Sequence, residues 1–341
     1  MSFRKHVLVA LAGLTAIAAL SLFCRETVDA QQPMALKLAT SAEQHLSAGK
    51  GFGKFADLVN ERAGGKLKVE VYYAGALGSE VTAVRNMLAG TVELSTISDA
   101  NLGAFSDALF LMNLPYLFKG TAGLRKVIDE PSIREGINKT LAKSNLRALM
   151  HLDNGGPRQF ESTKGPIKTP ADAKDLKCRT TASPVEVAIF KGFGTIPTPI
   201  NWAEVYTALS QGTVDCEGVQ YTWVYSTRHY EVLKHITEIG YVIGTQNVLI
   251  RADQWNKLPK DLQDVLTQAA RDAEAWEAKI DADYTHEARE KVIASGVKVY
   301  TPNADEMKKW RDSVVPKVWD QFKDKVPPEF IRQVQKIQEG I

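Results

Sequence analysis

The chain has 341 residues, 44% of them hydrophobic, with 42 Lys and Arg set against 40 Asp and Glu. That is ample apolar material for two lobes, each with its own sheet. There is no basic run or Lys/Arg stripe, which excludes nucleic acid as a partner, and no Cys/His spacing of the kind that holds zinc.

The first 30 residues differ from the rest. Arg4 and Lys5 precede an apolar stretch over residues 7–23, and Val28-Asp29-Ala30 has a small-x-small ending. This reads as a secretory signal peptide cleaved after about Ala30, which makes the mature protein periplasmic. A retained membrane anchor is one alternative, for which the stretch is short. A lipoprotein at Cys24 is another, for which Phe23 is a large preceding residue. Cleavage leaves Cys178 and Cys216, either as a disulfide permitted by an oxidising compartment or as two small buried hydrophobes that never meet.

Residues 35–40 alternate as a strand, and 41–45, including Ser41 and His45, form a polar loop. Phe52, Phe55, Leu58 and Val59 have helical spacing over 49–63, and Gly64-Gly65 stops that helix. Residues 67–73 alternate as a second strand. Ser79 caps a helix carrying Val81, Val84, Met87 and Leu88, and 92–97 form a third strand that runs into Ser98 and Asp99. The order is strand–helix–strand–helix–strand, which implies a parallel sheet. Residues 109–118 are densely apolar but hold Pro115, so no long helix passes through them. A helix is expected over 121–144 and a strand over 146–152. Asn154-Gly155-Gly156-Pro157 then lets the backbone bend toward a second lobe, with Arg158 just beyond.

Residues 176–181, 195–200 and 213–219 repeat the strand pattern, with helices over 184–193 and 203–211 between them. Ligands of such sheets sit beyond the carboxyl ends of the strands. That rim would carry Arg179, Trp202 and Glu217. Tyr221, Trp223 and Tyr225 alternate as a strand face would. A helix over 227–235, strands over 238–242 and 246–250, and a short helix over 253–258 follow. Residues 260–294 contain no Gly or Pro and predict one helix of about 50 Å lying across both lobes. A strand over 297–300 and a helix over 304–326 close the chain. The pattern predicts a two-lobed α/β protein, with 31–155 and 244–283 in the first lobe and 156–243 and 284–341 in the second.

Catalytic patterns are absent. There is no G-x-S-x-G or H-E-x-x-H, and Gly49-Lys50-Gly51-Phe52-Gly53 has neither Walker nor Rossmann spacing. Binding without chemistry is therefore favoured over a periplasmic hydrolase, and no cofactor is expected.

Several segments together resemble the solute-binding subunits of TRAP transporters, the DctP-like family. They are YYAGALGSEVTAVRNMLAGTVELS, LPYLF, PIKTPADAKDLKCR, FGTIPTPINWAEVYTALSQGTVD and the long late helix. The resemblance spans residues 36–322. It implies a periplasmic binding protein of the type II kind, whose cleft closes on a small organic acid that it delivers to membrane permease subunits. The strand LKCR carries the family's carboxylate-binding arginine onto Arg179, where a guanidinium fork matches a carboxylate. A second arginine carries over to Arg158, and the aromatic that packs on the ligand to Trp202. First-lobe contacts would come from Ser41, His45, Ser98 and Asp99. Where some relatives have an asparagine that bonds sugar acids this chain has Val219, and Tyr221 and Trp223 add aromatic surface. The expected ligand is therefore a carboxylate with an apolar or aromatic body. No metal is expected, although Glu217, Gln220 and Gln246 are weak candidates for the cation that some relatives bind. A protein reporting ligand to a membrane sensor remains an alternative, and the assembly could be a monomer or a homodimer.

Overall fold

A computed structural model describes residues 33–326 and 328–341; the expected signal peptide lies outside them. In chain order the first part comprises β1 (Met34–Ala39), α1 (Ser47–Arg62), β2 (Leu67–Tyr72), α2 (Glu80–Leu88), β3 (Leu94–Ser98), α3 (Asp99–Leu102), α4 (Gly120–Ile128) and α5 (Pro131–Leu141). Then follow β4 (Leu146–Pro157), β5 (Phe160–Ser162), β6 (Lys177–Thr180), α6 (Pro184–Gly192), β7 (Ile196–Pro199), α7 (Trp202–Ser210), β8 (Cys216–Glu217) and α8 (Tyr221–Ser226). The last part is β9 (His235–Thr237), β10 (Ile243–Arg251), α9 (Ala252–Lys257), α10 (Lys260–Ala294), β11 (Lys298–Tyr300), α11 (Ala304–Gln321) and α12 (Pro328–Ile337).

These strands form two sheets, one per lobe. The first has the order β2-β1-β3-β10-β4, and the second β11-β9-β5-β8-β6-β7. In the first, β1 pairs in parallel with β2 and β3, while the late strand β10 returns antiparallel between β3 and β4. In the second, β6 lies parallel to both β7 and β8. Both strand–helix–strand–helix–strand units read from the pattern are thus present, and the long strands β4 and β10 carry the chain between the lobes.

Several expectations are corrected. The helix over 121–144 is two helices, because Pro131 cannot continue α4 and instead starts α5 at its first turn. Tyr221, Trp223 and Tyr225 lie on helix α8, not on a strand, so their period of two has no strand face to serve. Residues 227–235 are not a helix. Arg228 adopts φ 60° and leaves only one 3-10 turn, His229–Glu231. The strand expected over 238–242 is absent, since that stretch is irregular and links β9 to β10. The closing helix stops at Gln321, and α12 returns to pack on α4 of the first lobe. There Gln338 accepts from the Lys119 amide at 2.7 Å. Cys178 and Cys216 form a disulfide, with Cα atoms 4.4 Å apart, because β6 and β8 place them directly opposite.

Helix α10 runs unbroken for 35 residues, about 52 Å at 1.5 Å per residue. It packs on α1 and β4 of the first lobe and on α8 of the second. Ala269, Ala270 and Ala273 keep its contact face flat and are fully buried. Gly51 on α1 permits the close approach: a Cβ there would lie 2.5 Å from Leu152 and 3.0 Å from Glu277. Under the helix lie buried acids. Glu274 takes both terminal nitrogens of Arg134 at 3.0 Å and the His151 amide at 2.7 Å. Burial pushes it up to about 7. Asp281 accepts from Ser47 Oγ at 2.6 Å and is pushed up to about 6, again by burial. The second lobe is built on an aromatic nest of Phe160, Phe190, Phe193, Tyr241 and Trp310, with Phe193 and Trp310 4.9 Å apart edge to face.

Candidate functional site

Between the lobes lies a cavity of about 520 Å³, in the size range of small-molecule sites. Its second-lobe wall starts at the carboxyl end of β6, where the strand delivers Arg179. This residue is 4% exposed, and its Nε donates to the Ile200 carbonyl at 3.1 Å. Its two terminal nitrogens have no protein partner, and no acidic side chain lies within ion-pair distance among the described residues. Burial lowers its proton affinity and Glu186 and Glu217 raise it, but a guanidinium stays charged in any such setting. The guanidinium carbon lies 5.3 Å from the centre of the Trp202 ring, which begins α7. Trp202 meets Trp223 edge to face at 5.2 Å and His229 at 4.9 Å. Trp223 Nε1 donates to Asn154 Oδ1 at 2.9 Å, tying α8 to the lobe crossing. Gly155, at φ 81°, makes that contact possible: a Cβ there would strike the Thr222 hydroxyl at 1.9 Å.

Arg158 lines the same wall with the opposite status. It is ion-paired to Glu186, whose other oxygen receives the Thr181 amide at 3.0 Å and the Thr181 hydroxyl. Behind the wall, Glu217 is fully buried and bonds His229 Nδ1 at 2.8 Å. Glu161 sits opposite it in register on β5. Burial and the Glu217 charge push the Glu161 carboxyl well above the usual range.

The first-lobe wall is organised around Glu80, the first residue of α2, which is 8% exposed. Its Oε2 accepts from the Ser98 amide at 3.2 Å, Ser98 Oγ at 2.8 Å and Asn101 Nδ2 at 2.6 Å. Its Oε1 accepts from Gln246 Nε2 at 2.9 Å and, at 3.5 Å, from Ser41 Oγ.

With this geometry in view, three comparisons bear on its meaning. The family pattern described as bacterial extracellular solute-binding protein, family 7 (DctP) matches residues 38–325. The chain belongs to the DctP family. It is 34% identical to a solute-binding protein of Verminephrobacter eiseniae, over 75% of this chain and 76% of that one. It is 29% identical to the 2,3-diketo-L-gulonate-binding periplasmic protein YiaO of Escherichia coli, over 94% and 97%. Among solved structures, a TRAP periplasmic solute-binding protein from Shewanella oneidensis with bound succinate superposes with a TM-score of 0.84 at 26% identity, covering 89% of this chain and 99% of that one. The two-lobed α/β fold is that of TRAP periplasmic binding proteins, and this DctP protein is an extracytoplasmic TRAP-type receptor for small organic acids. No helix among its described residues is long and apolar enough to cross a membrane.

In this DctP protein Arg179, Arg158, Trp202, Trp223, Ser41, Ser98, Gln220 and Gln246 line the cavity. Four residues expected at the site stand apart from it. His45 is exposed on its loop. Asp99 points into the sheet, where it accepts from the Thr245 amide at 2.6 Å, Thr245 Oγ1 at 2.8 Å and Asn247 Nδ2 at 2.7 Å. Burial pushes it up to about 6. Tyr221 is buried on α8 away from the cavity lining, bonds Glu238 at 3.0 Å and lies beside Arg289. Glu217 is a layer behind, holding His229. The weak cation candidates are not brought together either: Glu217 engages His229, whereas Gln246 engages Glu80 on the opposite lobe. Sequence reasoning missed Glu80, Asn101, Asn154, Thr181 and His229 as lining residues.

Proposed function

We infer that this receptor captures the carboxylate of a small organic acid at Arg179. The observation that carries the reading is a buried guanidinium with both terminal nitrogens open to the cavity and no ion-pair partner among the described residues. A carboxylate supplies two acceptors in the matching fork geometry and neutralises the charge. Trp202 and Trp223 then cover the body of the acid. Closure proceeds by rotation of the lobes about the crossings at 154–156 and 243–245. The loaded receptor docks on TRAP permease subunits, and the mature chain begins after about Ala30. Binding without chemistry fits the cavity: His229 is committed to Glu217, and no Ser, Thr or Cys among the described residues hydrogen-bonds to it.

Titration calorimetry of the mature protein with a panel of organic acids tests this. Arg179→Ala is expected to weaken carboxylate binding at least 100-fold. Its melting temperature should stay unchanged or rise, because an uncompensated buried charge has been removed. An unchanged Kd in that variant refutes the assignment.

A further inference from the structure

We propose that Glu80 and Gln246 make this cavity select a hydroxylated monocarboxylate and reject a plain dicarboxylate. The inference rests on the carboxylate reading of Arg179 and adds what the other end of the ligand must be.

A carboxylate only accepts, so Glu80 forces Gln246 to present its Nε2 and thereby turns Gln246 Oε1 away. That Oε1 is buried and receives no donor among the described residues. Glu80 Oε2 already has three donors, whereas Oε1 has one at close range and so keeps acceptor capacity. Glu43 adds a second carboxylate to the same wall. The first-lobe face of the cavity therefore offers acceptors and negative charge. The second-lobe face offers the two terminal nitrogens of Arg179, with Glu204 also lining that side, and the lobe crossing adds the Nδ2 of Asn154, whose Oδ1 is held by Trp223.

A ligand spanning this polarised space places its carboxylate at Arg179 and its own donors toward Glu80 and Gln246. A hydroxyl fits best, because it gives a hydrogen to those acceptors and can receive one from Ser41 on the same wall. A second carboxylate has no hydrogen to give. It would set acceptor against acceptor and negative against negative charge, the repulsive contact that makes a site specific. The expected preference is unlike the succinate seen in the Shewanella oneidensis protein. It also replaces the apolar or aromatic ligand body expected from Val219, Tyr221 and Trp223.

The test is calorimetry on ligand-free mature protein with two chain-length-matched pairs, threonate against succinate and gluconate against adipate. The hydroxylated acid should bind at least tenfold more tightly in the pair that fits the cavity. Glu80→Gln should shrink that ratio at least fivefold, mainly by tightening diacid binding, a gain that structural damage cannot produce. Diacid binding equal to or tighter than the hydroxy acid in the wild type, or an unchanged ratio in Glu80→Gln, overturns the proposal. The wild-type ratio decides alone if that variant does not fold. Arg179→Ala separates the two readings. If diacids are preferred and Arg179→Ala abolishes their binding, only the present inference fails. If no acid binds the wild type, the carboxylate reading fails and takes this one with it.

Discussion

The two walls of the cavity treat buried charge in opposite ways. On the first-lobe side the carboxylate of Glu80 is surrounded by donors from β3, α3 and β10, which makes it a structural joint as well as a surface. On the second-lobe side two arginines sit in one wall: Arg158 is matched by Glu186, and Arg179 has no ion-pair partner among the described residues. Charges that the fold completes hold the fold together. The charge it leaves incomplete is where a ligand enters.

The largest effect that could break this contrast is on Arg158. Arg158→Met leaves Glu186 buried without its cation and should cost about 3–5 kcal/mol of stability, read by urea denaturation. Arg179→Ala should cost none. Equal losses in the two variants would erase the distinction between a structural and a ligand-binding arginine.

A first-lobe acid gives a sharper, pH-resolved test. Asp281 is shifted from 3.8 to about 6 in the fold, so the folded state holds its proton more tightly than the unfolded chain. The associated stability is fully present below about pH 4 and is lost as pH rises through 6. Asp281→Asn can keep the bond to Ser47, because the hydroxyl can accept instead of donate, and it cannot ionise. Between pH 4 and pH 8 the variant should therefore gain up to about 3 kcal/mol relative to wild type, with ligand affinity unchanged. A parallel pH dependence in both proteins would show that the buried carboxyl is not the cause.

Smaller effects separate the inside of the site from its outside. Trp202→Ala removes the ring beside Arg179 and should weaken acid binding roughly tenfold, about 1.4 kcal/mol. Tyr221→Phe deletes only the bond to Glu238 and should cost about 1 kcal/mol or less of stability, with no change in Kd. A binding defect from Tyr221→Phe would bring that ring back into the cavity.

Much of this was legible in the chain. Short strands alternating with capped helices announce both sheets, and Arg179 and Trp202 are placed by the rule that ligands meet strand ends and helix starts. Glu80 was not legible, because an acid in the first turn of a helix reads as a partner of the helix dipole. Only β10, returning 166 residues later, brings Gln246 to it. His229 was hidden by a segment that reads as helix until Arg228 turns left-handed. Tyr221 was misplaced because alternation over five residues also fits one and a half turns of helix. Strand adjacency allowed the cysteine pair to be considered, but register alone, visible only in the sheet, decides that the two face each other.

The Cys178–Cys216 bond closes a covalent ring around β6, α6, β7, α7 and β8, and one of its ends adjoins the site residue Arg179. A loop of 38 residues closed in this way restricts the unfolded chain by about 4 kcal/mol. In a reducing cytoplasm the ring stays open. The chain therefore arrives at its working address before its recognition strand is locked, and translocation acts as a maturation step. Protein produced inside a reducing cell and never oxidised is a precursor in all but length, and a Kd measured on it describes the precursor.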